Sequence, residues 1–157
     1  MLPVVGSKYS AGSDLFACLD RENKSSDAIQ SIAPHSTVMI PTGIAVEIEP
    51  GYFGAIFARS GLAKKNGLRP ANCVGVVDSD YRGEVMVALH NDTDLIQSIE
   101  DRERIAQLVI MPYETAEFEE VKELSDTERG DGGFGSSGTK EVKERKRKVH
   151  EEYYGEW

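Results

Sequence analysis

The sequence predicts an all-β fold, a barrel or sandwich, with one short helix. Three observations carry this expectation. The β-prone apolar runs are short and closely spaced, Gly, Pro, Asn and Asp punctuate them, and helical periodicity is almost absent. Ala11-Gly-Ser13 is a tight turn before Asp14, and residues 15–18 enter a strand. Residues 20–31 are polar and predict a loop. Residues 37–40 predict a strand, Pro41-Thr-Gly43 a turn, and residues 44–48, which alternate with period two, the next strand. Pro50-Gly51 marks a turn before a strand over 52–57. Ser60 is the expected N-cap of a helix of one or two turns that Gly67 stops. Residues 74–77 and 85–89 read as the arms of a β-hairpin, with Asp78-Ser-Asp-Tyr-Arg-Gly83 as its tip. Asn91-Asp-Thr-Asp94 is a further turn, residues 95–99 and 104–111 are strands, and the acidic stretch 114–124 is strand-like.

The 157 residues suffice for one domain with a proper core. The composition changes after residue 128. Residues 129–139 hold five glycines, too little apolar surface for a core. Read blandly they are a flexible linker, although Arg129 and Phe134 are unusual in one. Residues 140–157 are densely charged and read as a solvated tail, with a weak amphipathic helix as the alternative. The organisation expected is therefore a core over 1–128, a Gly-rich arm over 129–139 and a charged tail over 140–157.

Charge and cysteine usage narrow the function classes. The net charge is −9, and the tail holds six Lys/Arg against five Asp/Glu, which leaves the preceding residues at −10. An acidic body is unsuited to a broad phosphate-neutralising face, so no nucleic-acid partner is expected. No apolar run approaches the ~20 residues that span a bilayer, so no membrane partner is expected either. The N-terminus lacks a secretion signal. Cys18 and Cys73 form no ligand pattern and read as reduced thiols of a cytoplasmic protein.

The segment 78–83 sets two carboxylates, a Tyr and an Arg on one turn. Taken alone it also reads as an ordinary polar turn. Four other short segments combine small residues with polar ones: Ala11-Gly-Ser-Asp-Leu-Phe-Ala17, Ala58-Arg-Ser-Gly-Leu-Ala63, Arg104-Ile-Ala-Gln-Leu108 and Arg129-Gly-Asp-Gly-Gly-Phe-Gly-Ser-Ser-Gly138. With Gly75-Val-Val-Asp-Ser-Asp-Tyr-Arg-Gly83 they resemble, in order, the five motifs of the trimeric dUTPase family. Pro41-Thr-Gly-Ile44 and Asn72 also stand where that family has them. The resemblance runs from about residue 10 to 139.

That resemblance implies a jelly-roll-like β-barrel and a homotrimer whose active sites draw on all three subunits. It implies Mg²⁺-dependent hydrolysis of dUTP to dUMP and pyrophosphate by water attack at the α-phosphate. Such a reaction keeps uracil out of DNA and supplies dUMP for thymidylate synthesis. Asp78 matches the carboxylate that orients the water and accepts its proton. Tyr81 matches the ring that packs on the deoxyribose. Asn72 and the backbone around Gly75 match the uracil contacts. Arg59, Ser60, Gly61 and Gln107 match triphosphate ligands, and Asp14 a carboxylate that meets the metal through water. Arg129, Gly135, Ser136 and Ser137 match phosphate contacts of a closing arm, on which Phe134 stacks over the base. Arg104 reads either as support for the phosphate site or as a structural ion pair, and Asp80 as a turn-shaping residue. The family's usual first strand is expected to be short or missing. A dCTP deaminase shares this fold, but it needs a Glu in the 78–83 region and lacks the Tyr. A silent nucleotide-binding module is the third reading.

Overall fold

The computed structural model describes residues 1–20 and 27–133. Ten strands and one helix are assigned among them. In chain order these are β1 (Val4–Val5), β2 (Ser13–Phe16), β3 (Ile29–Ile32), β4 (Thr37–Pro41), β5 (Tyr52–Ala58), α1 (Ser60–Asn66), β6 (Leu68–Pro70), β7 (Gly75–Val77), β8 (Met86–Asn91), β9 (Gln97–Glu100) and β10 (Arg104–Pro112). The fold is all-β with a jelly-roll-like arrangement, and its described strands form three ladders rather than one closed barrel. One sheet has the order β1-β2-β10-β5-β7, a second pairs β3 with β9, and a third runs β4-β8-β6. All the pairings are antiparallel.

Alternation decides which side of each strand is buried. In β8 Val87, Leu89 and Asn91 point inward, and Met86, Ala88 and His90 lie between them. Leu15, Ile32, Ile40, Ile56, Leu89 and Ile105 come from all three sheets and share one core. Gly54 in β5 lets that core close, because a Cβ there would stand 2.9 Å from Leu108 Cδ1 and 3.1 Å from Ile48 Cδ1.

Several local expectations need correction. Segment 74–89 is not a ladder hairpin. β7 pairs with β5 and β8 with β4 and β6, so the turn at 78–84 crosses between two sheets. Each apolar run finds a longer partner elsewhere than across its own turn. Residues 44–48 keep the alternation, with Ile48 buried and Glu47 exposed, but join no ladder. The stretch called a loop over 20–31 yields β3 at its end, where Ile32 is fully buried against β9. Polar neighbours hid that strand. Residues 114–124 form no strand and are exposed along their length. The first strand is short, as expected: β1 pairs Val4 with Asp14 and Val5 with Ser13.

The helix also starts one residue earlier than a Ser60 cap requires. Arg59 is its N-cap, in an extended conformation and without a side-chain capping bond. Gly67 ends it in the left-handed conformation, φ 64°, and donates its N–H to the Ala63 carbonyl. The described residues divide into two compact units, Met1–Ala116 and a second that begins at Glu117. In the second, the Arg129 guanidinium donates to the Gly132 carbonyl at 2.9 Å and Gly130 N–H to Thr127 Oγ1 at 3.0 Å.

A buried amide joins the turns of the first unit. Asn91 is fully buried. Its Nδ2 donates to the carbonyls of Ile32, Ala33 and Leu95 at 3.1, 3.1 and 2.8 Å, and its Oδ1 accepts from Thr93 N–H and Oγ1 at 2.9 and 2.8 Å. Removing the amide strands several buried groups at once. Asn91→Ala is expected to cost about 2–4 kcal/mol, read as a lower urea midpoint with an unchanged slope; an unchanged midpoint would show that the amide is dispensable.

Candidate functional site

Two clusters of the expected site residues form, one on the outer face of the five-stranded sheet and one at its edge strand β7. Cross-strand partners share a face. Asp14 faces Gln107, and Gln107 faces Phe57, so these three form a row on the outer side. Leu108 faces Ile56, and Ile56 faces Gly75, so these lie on the core side.

The outer cluster is cationic and closely braced. Arg59, the residue after β5, directs Nε to Asp14 Oδ1 at 2.9 Å and Nη2 to Oδ2 at 3.5 Å. Arg104, at the start of β10, reaches the same Oδ2 with Nη1 at 3.3 Å, and Arg59 Nη1 donates to the Arg104 carbonyl at 3.3 Å. One carboxylate therefore holds two guanidiniums side by side, in a geometry where their free N–H groups can meet an anion. Gln107 donates from Nε2 to the Ala58 carbonyl at 2.9 Å. Gly12 makes room for it, since a Cβ at 12 would stand 2.6 Å from Gln107 Oε1. Ser60 and Gly61 open α1 beside Arg59 and are exposed. Among the described residues nothing stands within 4 Å of a Cβ added at Gly61, so packing does not demand glycine there.

The inner cluster is a hollow of about 280 Å³. Asn72, Gly75, Asp78 and Tyr81 line it together, and Ile56, Val77 and Val85 form its apolar wall. The turn 78–84 is bonded to itself. Tyr81 N–H donates to the Asp78 carbonyl at 3.2 Å, and Tyr81 Oη donates to the Glu84 carbonyl at 3.0 Å. Gly83 is required beneath the ring, because a Cβ there would overlap the Tyr81 hydroxyl and stand 2.6 Å from Cζ. Arg82 turns away, to the Ser79 carbonyl at 2.7 Å and to Glu47 at 3.3 Å. A hollow with an apolar wall and a few convergent polar groups suits a flat heterocycle and a sugar. A carboxylate at its edge suits proton transfer from water.

Of the remaining site residues, Arg129 is exposed in the second unit, and Phe134, Gly135, Ser136 and Ser137 lie outside the described residues. Met39 and Met86 also line the hollow, and no motif marks them. Only the alternation of β4 and β8 could have pointed to them. The groups shifted from their ordinary values lie in neither cluster: the side-chain hydrogen bonds between Arg69 and Asp92 lower the Asp92 carboxyl and raise the Arg69 guanidinium.

No group of three or more His, Cys, Asp or Glu able to hold a metal ion occurs among the described residues. Both oxygens of Asp14 already face guanidiniums. The donor set therefore fits a cation carried in on phosphate oxygens and met by Asp14 through water. No helix among the described residues is long and apolar enough to cross a membrane.

Comparison with known proteins gives a consistent result. The dUTPase family model matches residues 1–138. The deoxyuridine 5'-triphosphate nucleotidohydrolase of Escherichia phage T5 is 47% identical over 131 residues, 83% of this chain and 86% of that protein. Its counterpart in Polynucleobacter necessarius subsp. necessarius is 45% identical over 130 residues, 82% of this chain and 83% of that one. Among solved structures, a mutant dUTPase of Staphylococcus bacteriophage 80alpha with dUpNHpp aligns with TM-score 0.74 and 31% identity, covering 88% of this chain and 92% of that one. The dUTPase of Streptococcus mutans aligns with TM-score 0.65 and 29% identity, covering 74% and 89%.

Proposed function

Because the chain belongs to the dUTPase family and is a dUTP nucleotidohydrolase, we propose that it cleaves dUTP to dUMP and pyrophosphate by attack of water on the α-phosphate. The observation that carries this reading is the hollow in which Asp78, Asn72, Gly75 and Tyr81 meet. Asp78 orients the water and accepts its proton as the oxygen bonds to phosphorus and the bridging oxygen departs with pyrophosphate. The Tyr81 ring packs on the deoxyribose and leaves no room for a 2′-OH. Asn72 and the backbone at Gly75 bond the uracil edge, and a cytosine would leave those groups unpaired. Arg59, Ser60, Gly61 and Gln107 bind the triphosphate. Mg²⁺, when bound, supplies charge neutralisation on the phosphate oxygens. Asp14 holds Arg59 in place and meets the metal through water. Arg129, Phe134, Gly135, Ser136 and Ser137 belong to an arm over 129–139 that closes on the nucleotide and excludes water, next to a core over 1–128 and a tail over 140–157. That phage dUTPase structures hold dUpNHpp supports a nucleotide in this position.

The protein acts as a homotrimer. The support is geometric: one chain sets its guanidinium pair beside the outer row of Asp14 and Gln107 and its Asp78 hollow at the edge strand β7, as two separate clusters. A nucleotide lying in one chain's hollow therefore takes its phosphate ligands from a second copy. The two free thiols, Cys18 and Cys73, suit the reducing cytoplasm. There the reaction keeps uracil out of DNA and supplies dUMP for thymidylate synthesis.

The direct experiment follows pyrophosphate release from dUTP, dCTP, dTTP and UTP, with and without Mg²⁺. Release from dUTP alone, dependent on the metal, is the expected result, and ammonia from dCTP would favour a deaminase. In the same assay Asp78→Asn is expected to bind dUTP but lose at least about 10²-fold in kcat; full turnover would remove Asp78 as the base. A chain ending at Glu128 is expected to stay folded and lose most activity, and normal turnover by it would end the lid reading. Mixing inactive Asp78→Asn chains with inactive Arg59→Ala chains is expected to restore part of the activity through hybrid trimers. Mixtures that stay as silent as their components would mean that each site is built within one chain.

A further inference from the structure

The position of Tyr81 depends on Glu84 and on the segment Pro41-Thr-Gly-Ile44, to neither of which a role in the site has been given above. Tyr81 is 45% exposed, so packing restrains its ring weakly. Its hydroxyl is held by the main-chain carbonyl of Glu84 at 3.0 Å. Glu84 is in turn fastened to a loop from another part of the chain. Gly43 N–H donates to Glu84 Oε1 at 2.8 Å, Val85 N–H donates to the Ile44 carbonyl at 2.8 Å, and the Thr42 hydroxyl donates to the Val85 carbonyl at short range. Three consecutive residues on one side thus meet two on the other.

The loop that receives these bonds is itself fixed. Thr42 is 2% exposed, one of two buried polar or charged residues among those described. Gly43 has φ +69°, and a Cβ there would stand 2.8 Å from Cys18 Sγ, so position 43 needs the residue without a side chain for its N–H to be offered to Glu84 in this conformation. Glu84 also lies between two hollows. It lines the Asp78 hollow on one side, and with Cys18, Gly43, Ile44 and Ala45 it lines a second of about 400 Å³ on the other. Open space behind Glu84 gives this segment somewhere to move once its bonds are cut.

We infer that Thr42 and Glu84 are positioning residues for sugar discrimination: they clip segment 81–85 to loop 42–44 and so fix where the Tyr81 ring stands. The inference rests on the reading of Tyr81 as the ring that excludes a ribose. A ring that must reject one hydroxyl group cannot be free to retreat by a fraction of an ångström. A clip at Glu84 prevents the retreat.

The test is the ratio of kcat/KM for dUTP to that for UTP, together with amide hydrogen exchange at Gly43. Glu84→Ala and Thr42→Val are expected to lower the ratio about fivefold to tenfold, chiefly by raising activity on UTP. Glu84→Gln keeps a neutral acceptor for Gly43 and Thr42→Ser keeps the hydroxyl, so both are expected to hold the wild-type ratio. Gly43 exchange speeds up in Glu84→Ala and not in Glu84→Gln. A wild-type ratio in a folded Glu84→Ala overturns the clip. Should Thr42→Val not fold, Glu84→Ala decides alone, because Glu84 lies outside the core. A wild-type protein with no preference for dUTP over UTP would instead overturn the reading of Tyr81, and the sugar-discrimination role with it.

Discussion

Strand β5 is hydrogen-bonded along both edges, to β10 on one side and β7 on the other. Most of what the molecule can do follows from that constraint. Neighbouring strands lie about 4.8 Å apart, so the residues that flank β5 are held at fixed spacing and fixed facing. Phe57 aligns Gln107 and Asp14 on the outer side, and Ile56 aligns Gly75 and the hollow beyond it on the inner side. A shift of register by one residue would exchange the faces and carry Gln107 into the core. Gly54 leaves room on the core face for Leu108 and Ile48. The guanidinium cluster and the Asp78 hollow are thus both placed with reference to the same strand.

Helix α1 translates this sheet geometry into a position for the phosphate motif. Too short to be stable alone, it is pinned at both ends. At the start, Arg59 is tied to Asp14 across the sheet. At the end, Gly67 lies so close to Thr93 that a Cβ would overlap Thr93 Cγ2, and the Gly67 carbonyl accepts from Asp92 N–H at 2.9 Å. Thr93 belongs to the turn that the buried Asn91 amide organises. Ser60 and Gly61 inherit their place from these two anchors, which lie in β2 and after β8, far from them in sequence.

What the sequence disclosed follows the range of the interactions involved. Strands β5, β8 and β10 were legible as β-prone apolar runs between turn residues, and in β8 burial also repeats with the pleat. The Gly67 stop was legible because a left-handed residue is a local demand. β3 was not, since Ile29 and Ile32 stand among polar residues and only the pairing with β9 gives them meaning. The hairpin reading of 74–89 failed for the same reason: local turn chemistry is real at 78–83, but the partners of β7 and β8 lie elsewhere in the chain. The site shows the same division. Motifs marked Asp14, Arg59, Gln107, Asp78 and Tyr81 by residue type, and only the register separated them into two clusters. Thr42 stands in a segment the resemblance marked, but nothing local tied it or Glu84 to the turn 78–84, because their bonds run to backbone groups some forty residues away.

The separation also protects the chemistry. A carboxylate that must take a proton from water loses basicity when a guanidinium sits beside it. In this chain Arg59 and Arg104 are matched by Asp14, with both oxygens used, and Asp78 lies in the separate hollow beside β7, where among the described residues its carboxylate makes no ion pair. Two acids of the same type therefore have different surroundings: both oxygens of Asp14 face guanidiniums, and the proposed role of Asp78 needs a carboxylate without such a neighbour. Had the fold placed Asp78 beside Asp14, Arg59 would have a choice between the two carboxylates before any nucleotide arrived. In the proposed division of the site between copies, the guanidinium pair of one copy would meet Asp78 of another across a bound triphosphate, whose own negative charge would stand between them.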